Sequence, residues 1–119
     1  MIDPFYAEKL FNDLYKYIDG YEINIEARLK HEEDTQDMLY GELPFETCQN
    51  IINQIQPKPH GVFFDLGSGT GRVVMAASLL HNFRKSIGVE LLDVLHNKAC
   101  EVKRNFEQNI KFQIGDKID

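Results

Sequence analysis

The sequence has 119 residues, enough for one domain with a single modest core. Its composition, 43% hydrophobic and 27% charged, excludes collagen-like, low-complexity and wholly disordered classes. The formal charge of −6 makes nucleic acid an unfavourable partner, and the lack of a long apolar run argues against a membrane span or a secretory leader. We therefore expect a soluble cytoplasmic protein, or a nuclear one if the source is eukaryotic.

The cysteines and histidines show no metal-ligand spacing. Cys48 and Cys100 are far apart and lack the paired arrangement of a zinc site. No two of the four histidines are spaced to form a ligand pair on one helix face. We expect free thiols in a reducing compartment and no metal centre.

Two amphipathic helices are predicted in the first half of the chain. Apolar residues recur at helical spacing from Tyr6 to Ile18, before Gly20, and again from Phe45 to Ile55, before Pro57. Between them, the acidic segment 31–37 is typical of a solvated turn or helix face, and residues 40–44 have loop chemistry.

The second half alternates short strands with helices. Strands are predicted at Val62–Leu66, Ser86–Leu91 and Ile110–Ile114, and helices at Arg72–Leu80 and from Asp93 to about Gln108. This order predicts an α/β fold in three layers, Rossmann-like, with a parallel sheet of about three strands behind N-terminal helices. It resembles half of a doubly wound domain. We expect the free edge of the first strand to be bare, self-associated or covered by protein outside this sequence.

The sharpest motif is a glycine-rich loop between the first of these strands and the helix after it. Glycines at 67, 69 and 71 allow a tight turn and let a ligand approach main-chain amides at a helix N-terminus. A nicotinamide fingerprint requires glycine where Arg72 stands, and a P-loop requires Lys followed by Ser or Thr, which are absent. Arg72 itself is interpreted as a first-turn surface residue.

Acidic residues follow the ends of the predicted strands. Asp65 ends the first, Glu90 closes the second and Asp116 closes the third, so all three are expected near the glycine loop. A carboxylate can accept two hydrogen bonds from a ribose diol. The set suits a ligand with ammonium and sulfonium charges and a ribose but no phosphate, namely S-adenosylmethionine. Each acid taken singly is equally well explained as a helix cap.

These residues resemble a known family. Residues 64–71, with Gly88-Val89-Glu90, look like the first two motifs of class I S-adenosylmethionine-dependent methyltransferases. With Tyr40-Gly41-Glu42 ahead of them, they are similar to the histone lysine methyltransferases without a SET domain, the disruptor-of-telomeric-silencing type, and their bacterial relatives. The resemblance covers about residues 38 to 116.

The resemblance implies roles for individual residues. Tyr40 and Glu42 would lie in the loop over the methionine end of the cofactor, Glu90 would bind the ribose hydroxyls, and Asp116 would face the adenine amino group. Leu91 or Leu92 would pack on the adenine ring or belong to the core. The methionyl pocket and its loop would be formed by Asp65, Gly67, Ser68, Gly69 and Gly71. Leu43-Pro44 departs from the family pattern and leaves one cofactor contact open.

The resemblance also implies a domain division and a function. Residues 1–37 would be a helical segment, and 38–119 the cofactor-binding part of a methyltransferase domain truncated at its C-terminus. The expected partners are S-adenosylmethionine or S-adenosylhomocysteine and a basic protein substrate. No catalytic residue is assigned, because the family's catalytic segment would follow Asp119. The alternative is a non-catalytic adenosyl-ligand binding module or an assembly partner.

Overall fold

The computed structural model describes residues 3–31, 41–109 and 118–119. The elements in this part of the chain are α1 (Pro4–Tyr15), α2 (Gly20–His31), α3 (Phe45–Ile55), β1 (Val62–Leu66), α4 (Arg72–Leu80), β2 (Lys85–Val89) and α5 (Asp93–Asn109). None of the helices in these ranges combines the length and the apolar character needed to cross a bilayer. The fold is mixed α/β, as predicted.

Aspartates cap the two N-terminal helices. The Asp3 carboxylate accepts hydrogen bonds from the Phe5 and Tyr6 amides, at 2.8 and 3.4 Å, and so satisfies free donors at the start of α1. Asp19 caps α2 in the same way, through the Tyr21 and Glu22 amides. The sequence patterns did not predict α2, whereas the predicted helix at Phe45–Ile55 is confirmed as α3.

The two strands form a parallel pair joined by α4. Their register runs from Val62 opposite Lys85 to Leu66 opposite Val89. The second strand begins one residue before its predicted start and ends at Val89, so Glu90 and Leu91 follow the strand. This offset brings the Glu90 carboxylate beyond the edge of the sheet, where it can reach the loop after β1.

The predicted third strand, Ile110–Ile114, lies outside the described residues. The outer edge of β2 is nonetheless paired, because Ile118 forms a parallel bridge with Ser86. The amide of Asp119 donates to the Ser86 carbonyl at 2.8 Å, and its carbonyl accepts from the Gly88 amide at 3.0 Å. Residues 118–119 therefore occupy a position beside β2 that a third parallel strand would take.

Helix α4 is at the centre of the fold. It packs against α1, α3 and both strands, and its residues 74–79 are all buried. The main core combines side chains from α1, α3, α4 and α5 with Ile118. Its buried members are Ala7, Phe11, Leu14, Tyr15, Phe45, Cys48, Val74, Met75, Ala76, Leu79, Val102, Phe106 and Ile118.

The sheet has helices against one face in the described part of the chain. Its other face exposes 60% of Phe64, 80% of Leu66 and 53% of Val89. Alternation along a strand and the β1–β2 register place these three side chains on the same face. The described residues thus form two layers, and the predicted three-layer arrangement is not confirmed.

Candidate functional site

The glycine loop turns sharply between β1 and α4. Gly67, Gly69 and Gly71 have φ values of 84°, 58° and 86°, a region that side chains with a Cβ rarely adopt. The amides of Gly67 and Ser68 both donate to the Val89 carbonyl, at 2.7 and 3.0 Å. The loop is therefore anchored to the end of β2, and its turn presents backbone at the N-terminus of α4.

Glu90 is hydrogen-bonded to the same loop. Its Oε1 accepts from the Gly69 amide at 2.8 Å, and its Oε2 accepts from the Leu92 amide at 2.7 Å. A carboxylate offers about four acceptor sites, so two amide bonds leave capacity for further donors. The structure thus places Glu90 against the glycine loop, as the sequence predicted.

A pocket of about 150 Å³ lies in front of the loop. It brings together two of the predicted acidic residues, Glu42 and Asp65, with the first part of the loop. Its lining residues are Gly41, Glu42, Leu43, Asp65, Gly67, Ser68, Gly69, Arg72 and Val73. Two carboxylates and the backbone of a positive-φ turn are thereby gathered in one cleft at the carboxyl end of β1.

The other predicted site residues lie elsewhere. Gly71 lines a second, smaller cavity behind the loop, together with Tyr15 and residues of α5. Tyr40 and Asp116 lie outside the described residues. In the described ranges, no cluster of three or more His, Cys, Asp or Glu side chains could hold a metal ion.

Burial and charge perturb the pKa of Asp65, which lines the pocket, and of Cys48. The pKa of Asp65 is raised above its usual value, first by burial and then by the negative charge of Glu90. Burial also raises the pKa of the Cys48 thiol, and the Asp65 charge raises it further. A positively charged ligand group would relieve the unfavourable ionisation of Asp65.

Arg72 differs from its sequence interpretation as a first-turn surface residue. Its side chain is only 22% exposed, and its Nε lies 3.2 Å from Oε2 of Glu42. The guanidinium also stacks over the rings of Tyr15 and Phe11, at 4.7 and 5.6 Å from their centroids. Arg72 therefore belongs to the pocket wall.

Sequence reasoning also missed Tyr15, whose hydroxyl donates to the Thr70 carbonyl in the loop at 2.9 Å. Tyr15 is not among the apolar residues whose spacing predicted the first helix, and no sequence signal indicated its distant partner. The same holds for Arg72, because its aromatic neighbours come from α1.

The sequence matches a known protein family over most of its length. The family described as histone methylation protein DOT1 matches residues 21–117. The chain belongs to the DOT1 family. The match confirms the resemblance seen in the glycine loop and in Tyr40-Gly41-Glu42, and it begins after α1, so that α1 lies outside it.

Three curated relatives share the name "Histone-lysine N-methyltransferase, H3 lysine-79 specific". The protein from Cryptococcus neoformans is 39% identical over 85 residues, which cover 66% of this chain and 13% of the relative. The protein from Gibberella zeae is 37% identical over 71% of this chain and 17% of its own length. The one from Caenorhabditis elegans is 33% identical over 66% and 8%. This DOT1 chain thus spans less than a fifth of each of these relatives.

Proposed function

We propose that this chain binds S-adenosylmethionine and is the cofactor-binding part of a protein-lysine methyltransferase. The observation that carries the proposal is the pocket that joins Glu42 and Asp65 to the glycine loop. Glu42, Asp65 and the Arg72 guanidinium paired with Glu42 give the pocket wall a net negative charge, which favours a ligand that presents positive charge. The loop backbone allows close approach. The division into a helical segment, 1–37, and a cofactor-binding part, 38–119, belongs to the same proposal.

The hydrogen-bond acceptors in and beside the pocket fit the cofactor. Asp65 and Glu42 would hold its ammonium group, and the free acceptor capacity of Glu90 would serve the ribose hydroxyls. Leu91 is 76% exposed whereas Leu92 is 3% exposed, so Leu91 is the candidate for the adenine face. Tyr40 would cover the methionine end and Asp116 would face the adenine amino group.

When bound, the cofactor supplies a methyl group made electrophilic by the sulfonium. The chain's residues would fix its orientation and exclude water, which are the main requirements of an in-line displacement. The relatives' names support a histone lysine as acceptor, and the charge of −6 would favour a basic protein segment. The relatives' names also favour a nuclear location for a eukaryotic chain and give no support to a cytoplasmic one.

The third strand and the third layer of the predicted fold also belong to the proposal. We infer a third parallel strand beside β2 and a third layer on the apolar face of the sheet in the complete domain. Support comes from the pairing of residues 118–119 on β2 and from the exposure of Leu66 and Val89.

Calorimetry tests the cofactor proposal. The chain is titrated with S-adenosylmethionine, S-adenosylhomocysteine and NADH, alongside Glu90→Gln and the exposed control Glu26→Gln. We expect both adenosyl ligands to bind, and Glu90→Gln to weaken S-adenosylhomocysteine about tenfold because it removes a charged acceptor. Binding of NADH instead, or of no ligand, would overturn the cofactor assignment.

The methyltransferase half of the proposal needs a separate assay. The chain and a longer natural form are incubated with labelled S-adenosylmethionine and histones. Transfer of label to lysine by the longer form supports the enzyme. Cofactor binding without any transfer by either form would indicate the non-catalytic binding module instead.

A further inference from the structure

Helix α1 contacts both the glycine loop and Arg72 of the pocket wall. The buried Tyr15 hydroxyl donates to the Thr70 carbonyl, which fixes the glycine loop from behind. The rings of Tyr15 and Phe11 lie beneath the Arg72 guanidinium at the start of α4. The α1 side of both contacts is buried, because Phe11 and Tyr15 are each 3% exposed.

Arg72 continues the connection to the opposite wall of the pocket. Its ion pair with Glu42 is shielded, since the two side chains are 22% and 18% exposed. Shielded pairs and cation–π contacts are stronger than their solvent-exposed counterparts. Removing one partner of such a pair leaves the other charge partly buried without compensation.

The segment held by Arg72 forms part of the pocket itself. Residues 41–43 line it, yet they lie outside any helix or strand. Besides the Arg72 pair, a hydrogen bond from the Glu42 amide to the Tyr21 hydroxyl, 3.2 Å long, tethers this segment. The position of the wall therefore depends on side-chain contacts.

We propose that α1 is a brace for the cofactor pocket, with Tyr15 and Arg72 as positioning residues. Tyr15 would hold the glycine loop, and Arg72, stacked on Tyr15 and Phe11, would hold Glu42 and the segment 41–43 in place. This inference rests on the proposed function. It assigns part of the cofactor affinity to a helix outside the family match, which begins at residue 21.

A double-mutant cycle tests the Arg72 part of the brace. Binding of S-adenosylhomocysteine is measured for the full chain and for Arg72→Met, Glu42→Gln and the double variant. We expect about a tenfold loss for Arg72→Met, and a double variant no weaker than the weaker single variant, because Arg72 acts through Glu42. If the double variant loses affinity by the product of the two single losses, this role is rejected. It is also rejected if Arg72→Met changes affinity by less than about twofold.

Tyr15→Phe tests the other contact with little risk to folding, because it removes only a hydroxyl. We expect binding to weaken about threefold to tenfold. Tyr17→Phe, at an 89% exposed position, should bind like the wild type. Phe106→Leu serves as a destabilised control, since Phe106 is fully buried but lines neither the pocket nor the loop. If Phe106→Leu weakens binding as much as Tyr15→Phe does, general destabilisation explains the result and the brace is rejected.

The two proposals fail in different ways. If the wild-type chain binds no adenosyl ligand, the proposed function falls and the brace falls with it. If the wild type binds and Glu90→Gln weakens binding, but Tyr15→Phe and Arg72→Met do not, only the brace is rejected.

Discussion

Asp65 shows how a residue proposed to bind the cofactor can oppose folding. It is half-buried at the end of β1, and its pKa is raised, first by burial and then by the charge of Glu90. In the window between its usual pKa and the raised one, the folded state binds more protons than the unfolded state. The Asp65 contribution to stability is therefore lost as pH rises through the raised pKa.

Asp65→Asn should for this reason stabilise the chain and impair the site. We predict a gain in unfolding free energy near neutral pH of up to about 1 kcal/mol, allowing for solvent screening, that disappears below the usual carboxyl pKa. Urea unfolding at several pH values measures it, with the exposed Asp13→Asn as control. Parallel stability curves for wild type and Asp65→Asn would contradict the assignment.

The same substitution should lower affinity for S-adenosylhomocysteine by about tenfold, because it removes the charge that we propose holds the ligand ammonium. Wild-type affinity should also fall as the pH drops towards the raised pKa of Asp65, since protonation removes that charge. Calorimetric titrations at two pH values check this.

Single residues differ in how far sequence alone predicts them. Glu90 and Asp65 were placed correctly, because strand ends in a parallel sheet converge and the two strands were recognisable. The shielded position of Arg72 was not predicted, because tertiary packing brings Phe11, Tyr15 and Glu42 to it. Local sequence carries no record of such neighbours.

At the scale of helices and strands, local sequence patterns predicted the elements correctly where those patterns were strong. Helices α3 and α4 and strand β1 have the predicted bounds, and α5 extends one residue beyond its prediction. Helix α2 was missed because its apolar positions do not form a buried stripe: Ile25 and Leu29 are 52% and 73% exposed. Asp19 followed by Glu22 is a capping pattern that could have indicated its start.

The glycine loop packs so closely against β2 that there is no room for a side chain at Gly88. A Cβ there would lie 2.7 Å from Ser68 Oγ, 2.9 Å from Ser68 Cβ and 3.0 Å from Val74 Cγ2. Such contacts require the loop or α4 to shift.

We predict that Gly88→Ala destabilises the chain by about 1–3 kcal/mol and weakens S-adenosylhomocysteine binding, because the displaced Ser68 belongs to the pocket. Gly61→Ala is the matched control, since Gly61 does not line the pocket and a Cβ there meets only the Lys58 carbonyl oxygen, at 3.4 Å. Urea unfolding and calorimetry measure both effects. If the two variants have the same free energy of unfolding, the loop moves away from the added Cβ without loss of stability, and the prediction is wrong.

At the scale of the whole molecule, the described residues form a parallel sheet with one apolar face in solvent. Parallel sheets are ordinarily covered on both faces. Here Phe64, Leu66 and Val89 form an exposed surface on neighbouring strands. The sequence predicts a free strand edge but not this exposed face. The reason is that alternation predicts which residues share a face, whereas covering that face depends on how many layers pack.

We predict that this chain on its own self-associates through the sheet face. Burial of apolar area drives the association, and the charge of −6 on each copy opposes it, so added salt should strengthen it by screening. Leu66→Thr keeps strand propensity but removes apolar surface, and should shift the association to roughly tenfold higher protein concentration. Sedimentation velocity over a range of concentrations and salt measures the shift, with Leu29→Gln on α2 as an equally exposed control. If Leu66→Thr associates like the wild type while Leu29→Gln does not, the contact lies on the helical side of the molecule, and the open face of the sheet is tolerated in water.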